Sequence, residues 1–374
     1  MIMTSLTGRE AKTIYDTIRR VEAVKDKEVE ELSDLFTEKP RLIISPTDKC
    51  YGACTHCVAN STLKGKAMPY DKFAKIDPEF FEIFFAADFG RRGNPLEYYS
   101  NGNDLANVLD HLLVNGGIEK FTLALAVQNS STPTLMGLQK FVEYGRASID
   151  TMITYHHYFE DLNPVKLAED FNFALKNYMK FSKKITISLL GDKFSQSNPT
   201  KAEEVQKTFN DNWDIIFKDI ELTKKDDKNY RASYKSLNKC TMADLYIPTI
   251  DTRVYPLGRF RNYLAQRMVL QQYTEKFEQS LSDYACPDLI KWPGIIIEPN
   301  GDLNLCASFE AVNCKGAVVT NIFNRSYEQV QNDLIKFHQK EMRWFIDNLS
   351  DIIDGKVSTC KLKNNCYQST NDKN

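Results

Sequence analysis

From Arg41 onward the chain alternates short apolar runs with longer stretches in which apolar residues return every three or four positions. That is the pattern of strands followed by amphipathic helices around a parallel sheet. Six strands are predicted, at Arg41–Ser45, Leu96–Ser100, Lys120–Val127, Asp150–Tyr155, Lys184–Leu190 and Thr252–Leu257. Asn163-Pro164 and Asn198-Pro199 each read as a helix start, with asparagine as the cap and proline in the first helical position. After the first of these, Leu167, Phe171, Leu175 and Tyr178 recur at helical spacing and read as a stripe facing the core. Ahead of the strands, Thr7-Gly8-Arg9-Glu10 has the form of a capping box and precedes Ile14, Ile18 and Val21, so a helix is predicted there, closed by Pro40. Ile220–Ser236, with the charge run Lys224-Lys225-Asp226-Asp227-Lys228, reads as a solvated turn or loop. Gly258–Ser282 is polar with helical spacing. Beyond it, two apolar runs flank Pro299-Asn300-Gly301-Asp302 and predict a hairpin. These patterns divide the chain into a helical extension over 1–40, an α/β body over 41–257 and a second domain over 258–374.

A length of 374 residues is enough for about two domains. With 42% hydrophobic and 26% charged residues the composition is that of a folded globular protein and excludes a largely disordered chain. Lys and Arg number 48 against 50 Asp and Glu, a net charge of −2, so no overall field would hold a polyanion and no nucleic-acid partner is expected. No run approaches the length of a membrane span and Met1–Arg9 lacks the apolar core of a signal peptide. A cytoplasmic location with no membrane partner is expected.

Nine cysteines change the picture. An odd number without an export signal argues for metal ligation or redox chemistry rather than a disulfide framework. Cys50, Cys54 and Cys57 form C-x3-C-x2-C directly after the first predicted strand. Thiolates at this spacing can wrap three corners of a four-iron cluster and leave one iron open to an exogenous chelating group. The alternative is zinc, with His56 or a distant cysteine as fourth ligand, although zinc sites usually show paired C-x2-C spacings. Downstream, the hairpin brings Cys286 and Cys306 towards one metal, and Cys360 and Cys366, with five residues between them, stand near the end. Zinc is again the alternative there.

The first motif, its place after the first strand and the repeated strand-helix units resemble the radical S-adenosylmethionine (radical SAM) superfamily. The resemblance implies an α/β fold, a partial (β/α)6 barrel, in which Cys50, Cys54 and Cys57 hold a [4Fe-4S] cluster that binds S-adenosylmethionine. Reductive cleavage of that cofactor then gives a 5′-deoxyadenosyl radical. His56 would lie near the adenine. Family members commonly end the second strand with Gly-Gly-Glu-Pro; here Ser100-Asn101-Gly102-Asn103 is expected to fill that role. Gly102 would supply a closely approaching backbone and Asn103 an acceptor for the methionine ammonium. Ser188 is a candidate for the ribose or carboxylate.

The spacing C-x14-G-x4-C from Cys286 through Gly301 to Cys306, with Val319-Thr320-Asn321-Ile322 after it, is similar to the SPASM and twitch extensions of that superfamily. This implies a small C-terminal α+β domain with one auxiliary [4Fe-4S] cluster on Cys286, Cys306, Cys360 and Cys366. Cys314 and Cys240 are then left over, either as small buried residues or as thiols that return a hydrogen atom to a substrate radical, Cys314 being the first candidate, with a ligand role in place of Cys360 as its further alternative. The substrate class implied is a ribosomally made peptide, which would gain a crosslink, thioether, oxidation or epimerised residue. The alternatives are a small molecule such as an aminosugar, and a non-catalytic iron–sulfur or zinc scaffold. An electron donor such as flavodoxin or ferredoxin is the implied partner.

Overall fold

The structure is a computed structural model and describes residues 29–52, 54, 57, 59–127, 132–155, 163–190, 201–236, 239–247, 292–305, 318–348 and 350–351. The strands are β1 (Phe36–Ile44), β2 (Ala86–Phe89), β3 (Tyr99–Ser100), β4 (Asn103–Asp104), β5 (Lys120–Leu125), β6 (Ser148–Tyr155), β7 (Ser182–Leu189), β8 (Ile220–Lys224), β9 (Asn229–Ser236), β10 (Lys239–Tyr246), β11 (Trp292–Ile297), β12 (Asp302–Asn304) and β13 (Val318–Asn321). The helices are α1 (Tyr70–Phe73), α2 (Glu79–Glu82), α3 (Leu105–Gly116), α4 (Thr132–Glu143), α5 (Pro164–Tyr178), α6 (Lys201–Asp211), α7 (Trp213–Ile216) and α8 (Tyr327–Asp347). Eleven strands form one sheet in the order β13-β12-β11-β1-β2-β5-β6-β7-β10-β9-β8. The run from β11 to β10 is parallel throughout, and an antiparallel hairpin extends it at each end. The molecule is therefore a mixed α/β fold on a large parallel sheet.

The two faces of that sheet differ. Phe121, Leu123 and Leu125 of β5, Ile149, Ile153 and Tyr155 of β6, and Ile185, Ile187 and Leu189 of β7 are buried on one side, under Leu167, Phe171, Leu175 and Tyr178 of α5. The Tyr155 ring anchors this layer, with its centroid 5.3 Å from the rings of both Phe171 and Phe209 in edge-on geometry. Position alternation puts a polar row on the other side. Asp88, Thr122, Asp150, Lys184, Asp244 and Arg231 are successive cross-strand neighbours. Arg41 pairs with Asp88, and Lys225 and Arg231 with Asp244. Parallel strands usually read as near-continuous apolar runs because both faces are covered; this alternation marks a face that keeps contact with solvent.

Three strand expectations are corrected. The second strand of the sheet is β2, not Leu96–Ser100. Ala86 and Ala87 are fully buried between β1 and β5, but alanine carries little strand propensity, which hid the strand. Leu96 instead lies in a 3-10 turn, Pro95–Glu97, opened by Asn94, whose side chain accepts from the Leu96 N–H. Ile220–Ser236 is not a loop but the hairpin β8–β9, with the charge run at its tip, where the Asp226 carboxylate accepts from the N–H groups of Lys228 and Asn229, both at 2.9 Å. A partner on only one side lets this edge strand stay polar. β1 begins at Phe36 and runs through Pro40, which is accommodated by a register irregularity against β11. Thr252–Leu257, the N-terminal helix, Asn198-Pro199 and Gly258–Ser282 lie outside the described residues; the parallel neighbour of β7 is β10.

The α5 cap is as predicted: Asn163 Oδ1 accepts from the Val165 N–H at 2.9 Å and Pro164 follows at the first helical position. Asn163→Ala is expected to lower stability by about 1 kcal/mol, read as a shift in the urea midpoint at unchanged slope.

Candidate cofactor site at the cysteine loop

Pro46 stops β1, and the chain then leaves the sheet and returns on itself. Thr47 bridges Ala67 and Lys49 bridges Thr62, while Asp48 N–H donates to Lys66 O at 2.8 Å and Cys50 N–H to Thr62 O at 3.1 Å. The loop is thus a two-stranded stalk with the cysteines at its far end. Gly65 is obligatory in the stalk, since a Cβ there would sit 2.2 Å from the Asp48 carbonyl carbon. At the tip, Cys57 N–H donates to Cys54 O at 3.1 Å, a single turn that sets these two cysteines three residues apart. Gly52 N–H points at Cys50 Sγ at 3.4 Å. Cys50, Cys54 and Cys57 are half-buried and free of disulfides.

The turn that follows β2 clamps the stalk. Asn94 N–H donates to Lys49 O at 2.8 Å and Gly93 N–H to Ser61 Oγ at 2.9 Å. Gly93 has φ +62 and approaches so closely that a Cβ would lie 2.2 Å from Thr47 O. Behind it, Arg92 lies between two carboxylates, with Nε 2.7 Å from Glu298 Oε2 and Nη1 3.4 Å from Asp48 Oδ1. Glu298 follows β11 directly; burial pushes its carboxyl above the ordinary range, against the pull of Arg92, Arg91 and the Asn304 amide.

The polar residues expected at the end of the second strand take a different place. Ser100 and Asn103 pair in the small hairpin β3–β4, with Asn101 and Gly102 at its left-handed turn. Ser100 Oγ accepts from Tyr70 N–H, and the Asn103 amide donates to Asn101 O. Nothing lies within 4 Å of the Gly102 Cβ position, so this glycine serves its backbone angle rather than a close approach within the protein. The segment at the end of β2 is instead Gly90-Arg91-Arg92-Gly93-Asn94-Pro95. The signal that finds it is two glycines and an Asn-Pro after a short strand.

Ser188 is buried on β7 opposite Thr154 of β6, on the same side of its strand as Lys184 and so on the polar side of the sheet. Cys240 is exposed at the start of β10, with four strands between it and β1, towards the opposite end of the parallel run from the cysteine loop. His56, Cys286, Cys306, Cys314, Cys360 and Cys366 lie outside the described residues. Among the described residues, no three His, Cys, Asp or Glu side chains converge on a point that would hold a single metal ion. The loop does carry three thiols on one excursion, with a backbone N–H turned towards one sulfur, and thiols are residue types that could hold a metal or cluster.

Glu97, missed in the sequence, ends the turn behind this clamp. Burial raises its carboxyl to about 7, partly opposed by Lys49. A carboxyl whose pKa is higher folded than unfolded contributes stability below its unfolded value and loses it as pH rises to the folded value. The window here runs from the ordinary carboxylate value of 4.5 to about 7. Glu97→Gln is therefore expected to leave stability unchanged at pH 4 and to raise it by roughly 1 kcal/mol at pH 8, allowing for its partial exposure. Denaturation at the two pH values checks this.

Among the described residues no helix is long and apolar enough to cross a membrane. No family model matches the chain and no curated protein matches it. Two solved structures are similar over most of its length. One is Streptococcus suis SuiB bound to S-adenosylmethionine, with 15% identity, a TM-score of 0.46, and coverage of 96% of this chain and 80% of that one. The other is BtrN in complex with AdoMet and 2-DOIA, with 12% identity, a TM-score of 0.34, and coverage of 87% of this chain and 93% of that one. At these TM-scores neither likeness assigns a family.

Proposed function

We propose that the chain is a radical SAM enzyme whose cluster is held by Cys50, Cys54 and Cys57. The observation that supports this is the loop itself: three cysteines without disulfides at the end of a stalk that leaves the first parallel strand and is clamped by the turn after the second. When bound there, a [4Fe-4S] cluster supplies the electron that cleaves S-adenosylmethionine to a 5′-deoxyadenosyl radical. The chain's own part is to hold and orient. The stalk fixes Cys50 through its N–H bond to Thr62 O, and Gly52 N–H donates to Cys50 Sγ and so orients that sulfur. Gly90 and Gly93 let the backbone after β2 lie close to its neighbours, leaving room for a ligand at the end of the strands, the usual place for one in an α/β sheet. The partly solvated polar face, with Ser188 and Thr154 at its upper end, would line the space for the cofactor in a partial barrel.

The proposed substrate is a ribosomally made peptide, on the SPASM-like spacing of the C-terminal hairpin. Its strands β11, β12 and β13 are formed, and Gly301, at φ +87, makes the turn expected of it. The test is anaerobic reconstitution with iron and sulfide, then dithionite and S-adenosylmethionine. Formation of 5′-deoxyadenosine is expected, with deuterium entering it from a labelled peptide. Stoichiometric zinc and no cleavage would leave only the scaffold reading, and deuterium entering from an aminosugar instead would replace the peptide.

A further inference from the structure

Three segments distant in sequence meet at one guanidinium. Arg92, with its side chain 17% exposed, joins Asp48 of the stalk to Glu298 at the end of β11, which is 7% exposed and accepts a hydrogen bond from Asn304 at 3.1 Å. The planar fork of arginine presents N–H donors in fixed directions and so can hold two carboxylates at set positions, where lysine offers a compact charge on a flexible stem. Nothing in strand pairing requires this. β1 is already joined to β11 and β2 by backbone bonds, so the side-chain bridge reaches past the sheet to the stalk alone.

We propose that Arg92 is a positioning residue for the cysteine loop, a clasp that holds the Cys50 stalk against the C-terminal hairpin through Asp48 and Glu298. The inference rests on the proposed function only for the identity of what the loop carries. The hairpin leads from Glu298 through Leu305 to Cys306, so the clasp also ties the segment leading to the expected auxiliary ligand to the stalk that presents the other three thiols. Its charge counts as well. The potential of an iron–sulfur cluster follows the net charge around it. Removing the cation should therefore lower that potential, and removing the Glu298 anion should raise it, while both changes loosen the loop.

Two experiments test this. In metal-free protein, alkylation is followed cysteine by cysteine by mass spectrometry, with Cys240, exposed on β10, as internal reference. Arg92→Met and Asp48→Asn are expected to raise the Cys50 rate about tenfold relative to Cys240, as for a local opening, and Arg92→Lys to fall between. Asp48→Asn spares the buried Arg92–Glu298 pair and covers the case in which Arg92→Met does not fold. After reconstitution, the potential of the loop cluster should move down in Arg92→Met and up in Glu298→Gln, with iron loss to a chelator about tenfold faster in both. A merely structural role would not give opposite signs. Unchanged Cys50 alkylation in Asp48→Asn, or potentials moving the same way, would overturn the clasp. Absence of S-adenosylmethionine cleavage by the wild type would overturn the proposed function instead and leave the alkylation result standing.

Discussion

Replacing any one of Cys50, Cys54 and Cys57 with alanine is expected to bring 5′-deoxyadenosine formation to background. Three thiolates are the fewest that hold a four-iron cluster with one iron open, so losing one removes either the cluster or its geometry. The wild type should bind about eight irons per chain and the triple alanine variant about four, retained by the proposed C-terminal site. The fold should not respond. The three cysteines are half-buried at the tip of an excursion, and the stalk bonds of Asp48, Cys50 and Thr62 use backbone atoms that alanine keeps. Iron content, the amount of 5′-deoxyadenosine and the thermal midpoint measured on the same preparations separate these effects. Cleavage that persists in the triple variant would remove the loop from the chemistry.

Gly294→Val should produce the largest loss of stability. Gly294 pairs with Arg41 where β11 lies parallel to β1, and a Cβ on it would stand 2.0 Å from the Arg41 carbonyl oxygen. The obstacle is backbone in the centre of the sheet and has no rotamer to escape into. Relief requires β11 to draw away from β1, which uncovers Ile295, Ile297, Leu303, Leu42 and Ile44, all fully buried. The loss should be at least about 3 kcal/mol. Ser45 N–H, at the root of the cysteine loop, donates to Ile297 O at 2.9 Å, so the disturbance should reach the loop. Urea unfolding, with amide exchange at Leu42–Ile44, measures both. A midpoint equal to the wild type would mean that the two strands do not meet as described.

Part of this molecule is written locally. The strands β5, β6 and β7, the α5 stripe and its Asn163-Pro164 start, and the turn at Pro299–Asp302 fall where periodicity and turn chemistry put them, because each depends on residues a few positions apart. The cysteine spacing is equally local, since one loop carries all three thiols. What escaped depends on partners distant in sequence. Ala86 and Ala87 are a strand only because β1 and β5 flank them, and the polar edge β8 is one only because β9 pairs with it. The end of β2 was therefore misplaced, and with it the residues that face the cysteine loop.

On its own, then, the sequence determined an α/β chain with a three-thiol loop after its first strand. Only the tertiary structure decided that Arg92, Gly93 and Asn94 close on that loop, and that Glu298 reaches Arg92 across some two hundred positions of chain. Helical and strand periods record which face of an element is apolar. They carry no record of which buried carboxylate meets which guanidinium, a choice fixed by strand order and register alone.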